Sequence, residues 1–334
     1  MTLRSRFDVL LSDLDGVVYK GAGPIEHAVE SLNAAAAAGI RVGYITNNAS
    51  RTAESVAEHL AELGLHLEAD DVVTSPQAAV RLLGTLVAPG STILVVGGEG
   101  LTTVVEAAGY TVTRSALDGP AAVIQGFHPS VGWEQLAEAA FALHGVDGKP
   151  GIPWVATNTD WTIPVARGIA PGNGTLVSAV HTAVGRLPQV AGKPEVAMFE
   201  LASERFGTSN ALVLGDRLDT DILGANRAGM ESVLVLTGID QAKQVLAAVP
   251  DQRPTYILDD LRQLDEDYPE TVETTDADGS VLTTVGTASV RRRGENLIIE
   301  RSGTALDRLR AGAATIWNSG QGIYAFRVPA ELYS

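Results

Sequence analysis

The sequence predicts an α/β protein: a parallel-sheet core, an α/β domain inserted into it, and a small α+β extension at the C-terminus. Three observations carry this. Short apolar runs alternate with helical segments near both ends of the first 264 residues, the pattern of a parallel sheet with right-handed crossovers. The texture changes between about residues 79 and 187. Beyond residue 265 short alternating strands with glycine turns take over.

Residues 7–12 read as a short buried strand that ends in a loop with two aspartates. The Ala-rich stretch 26–38 reads as a helix stopped by Gly39. Ile40 to Thr46 is a second strand, and Ser50 is the N-cap candidate of a helix that Gly64 ends. In the insertion, 92–96, 121–125 and 154–157 read as strands, and 100–108 and 133–143 as helices. The stretch 158–174 is rich in Gly, Pro and polar residues and reads as a functional loop. The first style then returns. Pro194 opens a helix over 195–206, 211–214 and 232–236 are strands, and 220–228 is a helix. The domains are therefore 1–78 with 188–264 (core), 79–187 (insertion) and 265–334 (extension). Within the last, 265–275 reads as an acidic linker, Asp278-Gly279 and Arg293-Gly294 as hairpin turns, 304–317 as a helix and 323–328 as a strand. A unit of that size is too small to be generously stable alone, so it should pack on the other domains or on a second subunit.

Bulk properties narrow the function classes. The chain has 334 residues, 45% of them hydrophobic, ample for a sizeable core. Its net charge of −16 argues against nucleic acid as a partner. An anionic substrate would need a local positive site made by a metal, a lysine or helix N-termini. With no cysteine, disulfides, thiolate chemistry and Cys-ligated zinc are excluded. Arg4 and Arg6 lead into Phe7–Asp13 rather than an apolar leader. No apolar run approaches the roughly 20 residues of a membrane span. The cytoplasm is the expected compartment, with no membrane partner.

Four small motifs lie at predicted strand ends, where open α/β sheets build their sites. In Asp13-Leu14-Asp15-Gly16, the first acid suits a nucleophile on a rigid strand end and the second a general acid and base after a tight turn. Thr46-Asn47-Asn48 offers a hydroxyl and backbone N–H groups to phosphate oxygens. Gly192-Lys193-Pro194-Glu195 fixes a lysine near a helix start. Gly215-Asp216-Arg217-Leu218-Asp219-Thr220-Asp221 crowds acids that repel unless a hard cation such as Mg2+ joins them. Each motif alone also fits an ordinary polar loop or cap.

Together and in this order they resemble the haloacid dehalogenase (HAD) superfamily of phosphatases, over about residues 7–264. The insertion lies between the Thr46 and Lys193 motifs, the second of that superfamily's cap positions. With Gly98-Glu99-Gly100-Leu101, Ala156–Asp160 and Pro171–Gly174 it is similar to the NagD-type branch. That branch includes glycerol-phosphate, phosphoglycolate, nucleotide and pyridoxal-phosphate phosphatases. The resemblance implies a Rossmann-like core with a cap and a Mg2+-dependent phosphatase working through an aspartyl phosphate. Asp13 would be the nucleophile and Asp15 the general acid and base. The metal would be held by Asp13, Asp15 (through its carbonyl), Asp216 and Asp221. Thr46, Asn47 and Lys193 would bind phosphate. Asn158, Asp160 and Arg167 are candidate substrate contacts in the cap. His128 stands where relatives often carry Asp, which leaves cap specificity unread.

A short polyol phosphate such as glycerol 3-phosphate is the expected substrate. A mutase is disfavoured because only about 25 residues separate Asp15 from the next strand. A non-catalytic phosphate-binding protein on the same fold is the rival from another class, although Asp13, Asp15, Lys193 and Asp216 are all retained. The extension faintly resembles part of an acetyltransferase but lacks a pyrophosphate loop, so packing or homodimerisation is its expected role.

Overall fold

The computed structural model describes residues 1–21, 23–144, 151–165 and 167–333. The chain forms two compact units, Met1–Val42 with Asn210–Ser334 and Gly43–Ser209.

The first unit contains four parallel strands. Val9–Ser12 pairs with Ala211–Gly215, which pairs with Glu231–Val235, which pairs with Tyr256–Leu258. Val9–Ser12 and Ala211–Gly215 are buried along their whole length. That is why they read as unbroken apolar runs: both faces of a parallel sheet are covered. The register sets Ser12 beside Leu214, so the chain leaves the sheet at Asp13 and at Asp216 from the same edge.

The extension belongs to this unit. Thr271–Thr275, Val281–Val285, Ala288–Arg293 and Asn296–Arg301 form an antiparallel meander, followed by the helix Ala305–Asn318. Its Val285, Val290, Leu306, Leu309 and Ile316 share one buried cluster with Leu218, Ile222, Leu234, Val245 and Ile257. Arg310, itself buried, donates twice to the Ile257 carbonyl (3.0 and 2.7 Å), pairs with Asp307 (3.2 Å) and lies 4.5 Å over the Tyr268 ring. The extension thus completes a core that it could not build by itself.

Three expectations there change. Residues 271–275 are a strand rather than linker, because β-branched Thr and Val suit a ladder once Val281–Val285 supplies one. Residues 323–328 are not a strand. Ile323–Ala325 closes a tight turn, and the only pairing of this stretch among the described residues is the bridge at Asn296 and Arg327. The helix expected over 220–228 starts as a wide, π-type turn, Leu218–Ile222, and continues as Leu223–Arg227.

Strand Arg41–Thr46 begins in the first unit and ends in the second, where it pairs with Val72–Thr74. The helix Ala53–Glu62 is capped by Thr52, whose hydroxyl accepts from Ser55 N–H at 3.2 Å. Ser50 instead turns back to the Asn48 side chain. The second unit also holds an all-parallel five-stranded sheet. Its order is Gln189–Val190, Trp154–Ala156, Ala122–Gln125, Thr92–Val96, Thr111–Thr113. The helices Trp133–Leu143 and Asn173–Val184 cover one face, with Val96, Val123, Leu143, Trp154 and Val177 in their shared core. Within the expected loop 158–174, Thr162–Val165 and Gly168–Pro171 form a hairpin. No helix among the described residues is long and apolar enough to cross a membrane.

Candidate active site

Asp13, Asp216 and Asp221 come together in the first unit. One carboxylate oxygen from each lies within 4.8 Å of the other two. Asp216 and Asp221 are buried and Asp13 partly so. At that separation each pair of charges repels by about 3–4 kcal/mol at an effective dielectric constant near 20. A cation among the three would relieve that repulsion. Three hard oxygen donors at this spacing fit Mg2+ or Ca2+ and suit a soft metal poorly.

Local structure explains the gathering. Asp221 sits in the wide turn, where its Oδ2 accepts from Arg217 N–H at 3.2 Å. A tighter α-turn at this point would carry the side chain elsewhere on the helix. Asp216 Oδ2 accepts from Ile239 N–H at 2.7 Å. Two glycines let the backbone close on these acids. A Cβ at Gly16 would lie 2.2 Å from Asp216 Oδ2, and one at Gly215 would lie 2.1 Å from Asp221 Cβ. Gly16 also has φ of +86°, which an L side chain resists. Asp219 turns outward and pairs with Arg217.

Asp15 lies two residues beyond Asp13, its residue surface largely open but its carboxyl partly desolvated, in a loop closed by Gly16 N–H donating to the Tyr19 carbonyl at 2.9 Å. Partial burial of its carboxyl pushes the pKa up, and Lys20 partly offsets this. A carboxyl shifted in that direction suits a group that must hand over a proton.

A second cluster stands in the other unit, and Asn47 is its hub. Its Nδ2 donates to Asp160 Oδ1 (3.1 Å) and the Lys193 carbonyl (3.0 Å), and its Oδ1 accepts from Lys193 N–H (2.9 Å). Its own carbonyl accepts from Asn158 Nδ2 (2.7 Å) and Ser75 Oγ (2.8 Å). Asn158 Oδ1 in turn accepts from Asp160 N–H at 3.1 Å, and Asn173 Nδ2 donates to the Asn158 carbonyl at 2.7 Å. Asn47, Asn158, Asp160 and Lys193 are therefore one hydrogen-bonded network, and Thr46, next to Asn47 in the chain, accepts from Asn48 N–H at 3.1 Å. Lys193 is buried, and its Nζ reaches the Ile45 carbonyl at 3.5 Å. Pro194 does not begin the helix, which runs Val196–Phe206 with Glu195 as N-cap; the Lys193–Pro194 bond is cis. Gly172 and Gly174 are packing glycines, since a Cβ on either would lie within 2.3 Å of the Asp160 or Thr159 carbonyl. Arg167 is exposed in the turn of the hairpin.

One segment escaped the reading of the sequence. The stretch Thr237-Gly238-Ile239-Asp240, past the strand Glu231–Val235, touches both acid-bearing loops. Its signal was available: another strand end on the same edge, followed by Thr, Gly and an acid.

Residues 10–111 match the family of haloacid dehalogenase-like hydrolases, and residues 190–264 match a second HAD-hydrolase-like family. The chain belongs to the haloacid dehalogenase-like hydrolases. It is 42% identical to D-glycerol 3-phosphate phosphatase of Mycobacterium tuberculosis over 318 residues, 95% of this chain and 88% of that protein. It is 33% identical to acid sugar phosphatase of Staphylococcus aureus over 261 residues, 77% of this chain and 96% of that one. The structure resembles the crystal structure of glycerol phosphate phosphatase from M. tuberculosis in complex with magnesium, with a TM-score of 0.84 at 40% identity over 96% of this chain and 94% of that one. It also resembles p-nitrophenyl phosphatase from Archaeoglobus fulgidus, with a TM-score of 0.70 at 26% identity over 78% and 98%. Within the family it is a phosphatase of the NagD type, and so a phosphoric monoester hydrolase.

Proposed function

We propose that this phosphatase hydrolyses glycerol 3-phosphate to glycerol and phosphate with bound Mg2+. The observation that carries the metal-dependent half is the Asp13, Asp216 and Asp221 triad. The substrate rests on 42% identity, along nearly the whole chain, to a D-glycerol 3-phosphate phosphatase. The magnesium complex of the structural relative supports the choice of ion. Phosphoglycolate, nucleotides and pyridoxal phosphate are the alternatives within the branch.

In this reading Asp13 attacks phosphorus in line and becomes an acyl phosphate while the alcohol leaves. Asp15 protonates that alcohol and then takes a proton from the water that cleaves the acyl phosphate. Asp13, Asp216, Asp221 and the Asp15 carbonyl would hold Mg2+, which would supply neutralising charge when bound. Thr46 and the Asn47 N–H take phosphate oxygens, and Lys193 offsets their charge. Asn158 and Asp160 support Asn47 and Lys193 as well as being candidate substrate contacts. Arg167 is the candidate for a more distant polar group of the substrate.

We assign 1–78 with 188–264 to the catalytic domain and 79–187 to the cap; four strands of the five-stranded parallel sheet fall within the insertion and the fifth, Gln189–Val190, lies just beyond it. A cytoplasmic location accords with a small phosphorylated substrate. A net charge of −16 disfavours nucleic acid.

The test is a kinetic ranking of glycerol 3-phosphate, phosphoglycolate, nucleoside monophosphates and pyridoxal phosphate, with Mg2+ and with excess EDTA. Glycerol 3-phosphate should have the highest kcat/KM, and EDTA should abolish release. Asp13→Asn should fold and be inactive. Full activity in EDTA or in Asp13→Asn overturns the mechanism, and a better substrate overturns the assignment.

A further inference from the structure

The two acid-bearing loops are tied together by a loop that none of the four motifs contains. Past Glu231–Val235 the chain turns through residues 236–240. Ile239 N–H donates to Asp216 Oδ2 at 2.7 Å, and Asp240 N–H donates to the Asp216 carbonyl at 3.1 Å. Asp240 Oδ2 accepts from Leu218 N–H at 2.7 Å, at the first residue of the turn that carries Asp221. Thr237 Oγ1 donates to the Gly16 carbonyl at 2.7 Å, on the other acid-bearing loop. One short segment therefore grips residues 13–16 and residues 216–221 at once.

The grip is itself anchored. Gln241 Nε2 donates to the Leu236 and Gly238 carbonyls at 3.1 and 2.9 Å. Gln241 also caps the helix Ala242–Ala247, whose Val245 and Leu246 lie in the buried cluster shared with the extension. Three carboxylates that repel one another will spread unless their backbones are held. Holding them in advance spares the cation the cost of gathering them.

We propose that Thr237 and Asp240 are positioning residues that set the affinity of the Asp13, Asp216 and Asp221 site for Mg2+. This rests on the metal reading of those three acids. Neither side chain need touch ion or substrate. Thr237 acts through the Gly16 carbonyl, and Asp240 acts through the Leu218 N–H.

The experiment is calorimetric titration of the full chain with Mg2+ in the absence of substrate, alongside the thermal midpoint without metal. Thr237→Val and Asp240→Ala should weaken Mg2+ binding about 10- to 100-fold, the usual effect of losing such a supporting partner. Thr237→Ser keeps the hydroxyl and Asp240→Asn keeps an acceptor for Leu218 N–H, so both should bind nearly as wild type. These two also keep the test decisive if the harsher variants fail to fold: a large loss of affinity in both would overturn the assignment. Wild-type affinity in Thr237→Val and Asp240→Ala would overturn it as well. The control separates the two readings. If wild type takes up no Mg2+, or Asp216→Ala takes it up equally well, the metal site itself fails; if the control behaves and the loop variants bind normally, only the positioning role fails.

Discussion

Gly238→Ala tests how closely the proposed metal-binding acids are packed. A methyl there would lie 2.0 Å from Asp216 Oδ2 and 2.4 Å from its Cβ and Cγ. Ordinary carbon contacts begin near about 3.5 Å, so loop and carboxylate must separate by about 1.5 Å. Gly238 is not in the left-handed region, so the effect is contact alone, without backbone strain. Asp216 is buried and its Oδ2 is held by Ile239 N–H, so a shift of that size breaks the bond and displaces the carboxylate. Overpacking of this kind costs about 1–3 kcal/mol. The larger consequence is for the metal. At Mg2+ about 100 times the wild-type dissociation constant, binding stabilises the fold by about 2.7 kcal/mol; a hundredfold weaker site gains only about 0.4 kcal/mol. For a unit of this size that converts to a Mg2+-induced rise in thermal midpoint of about 5–10 °C for wild type and about 1 °C for the variant. Differential scanning calorimetry with and without Mg2+ reads this directly, and phosphate release under the same conditions should fall about 100-fold. An undiminished Mg2+-induced rise in Gly238→Ala would refute the argument that Asp216 is a packed metal ligand.

Arg310→Met should lower the stability of the first unit by about 3–5 kcal/mol, because it leaves Asp307 buried without its cation and Ile257 without two donors; an unchanged thermal midpoint would show that the extension is not stabilised through this pair. Burial works to raise the Asp307 carboxyl pKa, but the Thr287 N–H and hydroxyl together with Arg310 prevail and hold it below the ordinary range. Its contribution should therefore be complete above about pH 4 and fade as acid protonates it. The stability gap between wild type and Asp307→Ala should narrow from pH 5 to pH 2 in urea unfolding, and a constant gap counts against the pair. Asn47→Ala removes three side-chain hydrogen bonds around Lys193 and Asp160, each worth about 1 kcal/mol. KM for the phosphate ester should rise about 10-fold or more, and an unaltered KM would mean that Asn47 does not position the lysine.

The sequence by itself determined the class of fold and the identity of the acids. Unbroken apolar runs such as Val9–Ser12 and Ala211–Gly215 are the signature of a sheet covered on both faces, and each ends at an aspartate. The sequence placed Asp13 and Asp216 each at a strand end; that the two strands pair in register, so that both acids leave the sheet at one edge, was decided by the tertiary structure. Asp221 was in the expected motif, but the wide turn that aims it at the other two was not legible, since hydrogen-bond register within a helix leaves no mark on composition. Tertiary structure alone decided the rest. Thr237 and Asp240 act through hydrogen bonds to residues more than 200 and more than 20 positions away, and no local pattern encodes a partner at such a distance. Thr271–Thr275 became a strand because a neighbour offered it a ladder. The extension became part of the first unit because Val285, Leu309 and Ile316 complete a hydrophobic cluster that Leu218 and Val245 begin. Burial is a property of surfaces brought together, and which surfaces meet is settled only once the whole chain has folded.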